Sequence, residues 1–137
     1  MKTIILLTIF YSLTVGHCFT QNKADAILGY YLSPDVKSDD KTQLEIYKTS
    51  DGKYAAKVVW TGNKAKRHLV GTIQIKNLTY NPKENLWDNG KVVYEGGEYS
   101  VTANISEPGK LKLRGYLGIS LFGKTIYWTK EKALRKE

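Results

Sequence analysis

From residue 29 onward the chain alternates apolar and polar residues with a period of two, and turn-forming residues interrupt the pattern at short intervals. Leu44 and Ile46 alternate with Gln43, Glu45 and Tyr47 before Ser50-Asp51-Gly52-Lys53 supplies a hairpin turn. On the returning segment, Tyr54 to Trp60, strict alternation puts Tyr54, Ala56, Val58 and Trp60 on one face, with Lys57 and Thr61 on the other. A third strand runs through Gly71 to Lys76 and extends over Leu78-Thr79-Tyr80, and Asn81 to Asn85 turns the chain towards Leu86-Trp87. Lys91 to Tyr94 and Tyr99 to Ile105 flank Glu95-Gly96-Gly97-Glu98, a second hairpin, and Glu107-Pro108-Gly109-Lys110 makes a third. Leu111 to Tyr116 and Thr125 to Lys130 follow, and with Tyr30 to Ser33 the chain holds about eight short strands. No segment after residue 30 repeats its apolar residues at helical spacing. The expectation is an all-β domain whose antiparallel strands follow one another up and down, closing into a barrel that leaves no free edge. Ala24 to Leu28 is expected to make one helical turn that plugs a barrel end, and residues 131–137 to form a frayed tail or a short helix.

The N-terminus reads differently. Met1-Lys2-Thr3, the apolar run Ile4 to Val15, and the polar exit around Gly16 to Thr20 have the layout of an export signal. Residues 1–20 are therefore expected to be a signal peptide cleaved after Thr20, with residues 21–137 forming one domain in a secreted or periplasmic protein. The apolar run is too short for a lasting membrane anchor, so no transmembrane segment is expected in the mature chain. Cys18 is the sole cysteine, and His17 before it departs from the small residue that precedes a lipidated cysteine. Cleavage after Thr20 removes the only thiol, and with it disulfides, thiolate metal ligands and a cysteine nucleophile.

The net charge of +8 comes from basic residues scattered along the chain, which is the pattern of a solvated surface. Lys64-Ala-Lys66-Arg67-His68 is the densest cluster and reads as a polar loop. Catalytic chemistry finds little support. His68 is the one histidine outside the leader, so no histidine-rich metal site is expected. Ser120 in Gly118-Ile-Ser-Leu-Phe-Gly123 does not fit the nucleophile elbow, and Asp35, Asp39, Asp40 and Asp51 read as turn residues. The sequons Asn77-Leu-Thr79 and Asn104-Ile-Ser106 are expected to stay bare in a bacterial export setting.

Gly29-Tyr30-Tyr31 resembles the lipocalin entry motif, with tyrosine where that motif has tryptophan. The stretch Arg114-Gly-Tyr-Leu-Gly-Ile-Ser-Leu-Phe-Gly-Lys-Thr-Ile-Tyr-Trp128 closely resembles the C-terminal signature of a family of uncharacterised bacterial secreted proteins with a lipocalin-like (calycin-type) barrel. Ile46-Tyr47, Gly52-Lys53-Tyr54, Val59-Trp60, Gly71, Trp87, Gly90 and Val93-Tyr94 are similar to that family's residues, so the resemblance spans roughly residues 29–129. Two departures stand out: Glu95-Gly96-Gly97-Glu98 is short and lacks proline, and Lys130 stands where an arginine often follows the closing tryptophan. Lysine can lie over an aromatic ring but lacks the guanidinium fork. The resemblance implies fold and export; it implies no reaction.

Tyr31, Tyr54, Trp60, Trp87, Tyr94, Tyr99, Tyr116 and Trp128 form the expected interior set, an apolar lining with polar tips. Arg114 is the sharpest polar candidate. Alternation puts it outside with Lys112 and Tyr116, a bulge at Gly115 would turn the later residues round, and its two readings are a structural arginine or the partner of an acidic ligand. The expected function is a barrel with no catalytic or metal-binding residues and no cofactor, binding a small hydrophobic or amphipathic molecule. The alternative is a module with a fully packed interior whose basic surface docks on an anionic envelope component or another protein. Nucleic acid is not an expected partner, although aromatic strands among lysines also occur in oligonucleotide-binding barrels.

Overall fold

The computed structural model describes residues 23–34, 40–94, 96–116 and 125–136, with Tyr94 and Tyr116 described by their backbone alone. The expected leader, Asp35, Asp39 and the turn around Ser120 lie outside the described residues. A 3₁₀ helix, Lys23–Ile27, leads into strands β1 (Gly29–Pro34), β2 (Lys41–Lys48), β3 (Tyr54–Thr61) and β4 (Ile73–Asn81). After these come β5 (Leu86–Tyr94), β6 (Gly97–Glu107), β7 (Lys110–Tyr116) and β8 (Thr125–Glu131). Each strand pairs with the next, and β8 returns to β1 through Tyr30–Glu131, Tyr31–Lys130 and Leu32–Thr129, so the sheet closes on itself. This is the up-and-down, eight-stranded barrel that the alternation and hairpin signals predict.

The interior collects Tyr31, Leu44, Ile46, Tyr54, Ala56, Val58, Ile75, Leu78, Trp87, Val101, Ala103, Leu111, Leu113 and Trp128. Two bulges keep the inward face consistent where the sequence departs from strict alternation. Ile75 and Leu78 both point inward three residues apart because Asn77, at φ 63°, takes up an extra residue on β4. Trp87 and Gly90 repeat the device on β5 around Asn89 at φ 59°. Asparagine suits both places because it tolerates the left-handed region better than other residues with a side chain.

A further register shift, between Gln43 and Leu44 on β2, corrects the expected face of Trp60. Leu44 pairs with Val58 inside the barrel, whereas its neighbour Gln43, on the opposite face, pairs with Trp60. The extra residue on β3 thus turns Trp60 outward, and it turns Thr61 inward, where that threonine is buried. Trp60 leaves the interior set.

The C-terminal residues also differ from expectation. Instead of fraying, residues 131–136 lie back over the outer face beside Gln43. The Gln43 amide donates to Glu131 Oε1 at 3.0 Å and to the Ala133 carbonyl at 2.9 Å, and its carbonyl accepts from the Arg135 amide at 2.9 Å. The Arg135 guanidinium stacks over Trp60 at 5.1 Å and forks onto Glu131 at 2.8 and 2.7 Å. Gln43 is completely buried by this cover, with both ends of its amide bonded. The high charge of the segment hides its order from a sequence reading because the partners are long-range.

Candidate binding site

The two ends of the barrel are built differently. At the end where β1 begins, the 3₁₀ helix closes the opening. Ile27 is fully buried there and Ala24 nearly so. Three of the aromatic residues expected to line a pocket spend their polar groups on this plug. Tyr31 donates its hydroxyl to the Ile27 carbonyl at 2.9 Å, Trp87 donates its indole N–H to the Ala24 carbonyl at 3.1 Å, and Tyr54 donates to Asp25. Lys48 also reaches Asp25, at 3.2 Å. The hydrogen bond from Tyr54, with help from Lys48, holds the Asp25 carboxyl below its usual range. Burial pushes the Tyr31 phenol up to about 12. Burial, followed by the neighbouring Asp25 carboxylate, raises Tyr54 as well.

Trp128 packs against this end too, with its ring 6.4 Å from that of Tyr31 and itself 5% exposed. Lys130 lies over the Tyr31 ring at 5.9 Å, so the lysine that replaces the expected arginine still covers the aromatic at the strand junction. Four of the nine sequence-predicted site residues (Tyr31, Tyr54, Trp87 and Trp128) therefore belong to a filled, closed end.

The opposite end has another character. Ser33 pairs with Thr42, and Thr42 with Thr61. These residues continue the inward positions of Tyr31, Leu44 and Val58 towards the rim, setting a row of three hydroxyls across β1, β2 and β3. Thr61 Oγ1 accepts from the Asn63 amide at 3.3 Å, and Ser33 donates to the Pro34 carbonyl at 3.3 Å. From the other wall come Val92, Tyr99 and Ile126, all half-buried and at inward positions by their pairing. Tyr99 leans along its strand so that its hydroxyl covers Gly97, 2.5 Å from where a Cβ would stand. Of the predicted aromatics, Tyr99 is the one whose described side chain reaches this mouth.

The remaining predicted residues are placed as follows. Arg114 is exposed on the outer wall, paired with Thr102 and Thr125, and Gly115 keeps register with Val101, so no bulge turns it inward. Trp60 lies outside under Arg135. The side chains of Tyr94 and Tyr116 are not among those described. Asp51 caps its hairpin by accepting from Thr49 and from the Lys53 amide, and Asp40 accepts from Asn63 at 2.7 Å, both roles of turn residues. His68 is exposed on a second 3₁₀ turn, Lys64–Leu69. The hydroxyl row went unrecognised in the sequence because its members sit singly on three strands. Only the register brings Ser33, Thr42 and Thr61 together, and the β3 bulge places Thr61 against simple alternation.

A family model described as "Uncharacterized protein conserved in bacteria (DUF2147)" matches residues 29–130. The chain belongs to this bacterial family. Among solved structures, this DUF2147 member is similar to one titled "Protein HP1028 from the human pathogen Helicobacter pylori belongs to the lipocalin family". The two superpose with a TM-score of 0.62 at 20% identity, over 77% of this chain and 82% of that one. At that identity the likeness speaks for the lipocalin-like fold alone. No curated protein matches the chain. No helix among the described residues is long and apolar enough to cross a membrane.

Proposed function

We propose that this DUF2147 member is a non-catalytic binding protein, working outside the cytoplasm, that takes a small amphipathic molecule at the barrel end opposite the plug. The observation that carries the reading is the contrast between the two ends. One is plugged and packed, with Tyr31 and Tyr54 at 2% and 1% exposure, while the other presents half-buried apolar side chains opposite a row of hydroxyls. A site of this composition suits a molecule with an apolar body and a small polar head, since the body replaces water over Val92 and Ile126 while the head bonds to Ser33, Thr42 or Tyr99. Loss of the leader after Thr20 to leave one domain over residues 21–137 is part of the proposal.

Native mass spectrometry of the protein purified from its own cell envelope tests it. The expected result is a retained small molecule released by denaturation, and a bare mass would count against it. Titration with dodecanoate supplies the site: replacing Thr42 with Val and Tyr99 with Phe should each weaken binding by about threefold to tenfold, as expected for one hydrogen bond. N-terminal sequencing of the exported protein should begin at Gln21.

A further inference from the structure

On the outer wall, away from the mouth, register aligns two rows of polar and cationic side chains across β6, β7 and β8. One row is Asn104–Lys112–Tyr127 and the next is Thr102–Arg114–Thr125. All six are outward because their neighbours Ala103, Leu111, Leu113 and Trp128 are interior residues. Tyr127 is 49% exposed, and Arg114 and Thr125 are exposed beside it.

The charge on this wall is unbalanced. The carboxylates at its borders are already held: Glu107 by Lys110 at 3.2 Å, Glu131 by Arg135 at 2.7 Å and Glu98 by Lys76 at 2.6 Å. Among the described residues, no carboxylate pairs with Lys112 or Arg114. Two cations, one open aromatic ring and three short hydrogen-bonding side chains thus share one stretch of outer surface with strands about 4.8 Å apart.

We propose that this wall is a docking platform for an acidic glycan, a chain of sugars bearing carboxylates. Arg114 offers a planar fork for a carboxylate and Lys112 a second, point-like cation. The face of Tyr127 stacks against the C–H face of a sugar ring, and Asn104, Thr102 and Thr125 exchange hydrogen bonds with its hydroxyls. A lipid surface would call for aliphatic side chains to insert, and none of the six is aliphatic. A nucleic acid would call for several rings on which successive bases stack, and this platform has one.

The test uses oligogalacturonate as the probe, with a neutral glucan oligosaccharide and phosphatidylglycerol vesicles as comparisons. Binding of oligogalacturonate that weakens about tenfold in Arg114→Gln, the loss expected for a charge-assisted forked contact, and that also weakens in Tyr127→Ala at constant salt supports the proposal. These exposed substitutions should leave the melting temperature unchanged, so lost binding reads on contact rather than folding. Absence of oligogalacturonate binding, equal binding by the variants, or capture of vesicles through Arg114 without glycan binding would each overturn it. Dodecanoate affinity should be the same in Arg114→Gln as in the parent chain, so the mouth and the wall are judged separately.

Discussion

Gly90 occupies an interior position of β5 where no side chain fits. A Cβ there would lie 2.6 Å from Leu78 Cδ2, 2.8 Å from Val101 Cγ1 and 2.9 Å from the Val101 carbonyl. One of those neighbours is backbone, so the strand itself would have to move. Gly90→Ala should therefore cost about 1–3 kcal/mol by overpacking, read from the urea midpoint at unchanged slope. Tyr31 gives a prediction in pH. Its phenol ionises at about 12 in the fold, whereas in the unfolded chain it ionises near the ordinary value of 10.0. The unfolded state therefore loses its proton first, and stability present below that ordinary value is lost as pH rises towards 12, at about 1.4 kcal/mol per pH unit. Urea titrations across this window should show a shallower decline in Tyr31→Phe than in the parent. At this scale the sequence was legible where alternation held, as for Tyr54 and Val58. It misled at Trp60, where one added residue on β3 reversed the face.

Two short segments decide how the strands are finished. The N-terminal 3₁₀ helix is legible in the sequence as a single turn ahead of the first strand. Its hydrogen bonds from Tyr54 and Trp87 are not, because they join residues far apart in the chain. Trp87→Phe should remove the indole hydrogen bond to the Ala24 carbonyl and destabilise the fold by about 1–3 kcal/mol. The C-terminal segment is the larger surprise, since a run of lysine, arginine and glutamate residues reads as solvated tail. It stays in place because Gln43 bonds its backbone at both Ala133 and Arg135. Removing residues 132–137 should expose the Gln43 amide and uncover Trp60. The expected readouts are a red-shifted tryptophan emission and a stability loss of about 1–3 kcal/mol. An unchanged spectrum would mean that the segment does not cover the indole in solution.

For the whole molecule, the closed antiparallel barrel follows from the period-two pattern and the short hairpins, and both are written in the sequence. What the sequence could not convey is polarity along the barrel axis, namely which end is packed around the plug and which carries the hydroxyl row. Composition gives both ends aromatic and apolar residues. The distinction arises from where the plug binds and from the pairing that gathers Ser33, Thr42 and Thr61 opposite Tyr99. Among the described side chains, the site expected from eight aromatics and Arg114 thus divides into a packed end, a rim and an outer wall. The most direct test of this division follows backbone amide shifts by NMR while dodecanoate is added. The barrel described here predicts saturable changes at Thr42, Thr61, Tyr99 and Ile126, with Ala24, Ile27 and Trp87 unmoved. Changes centred on the 3₁₀ helix, or binding that leaves the Thr42 and Tyr99 amides still, would contradict it.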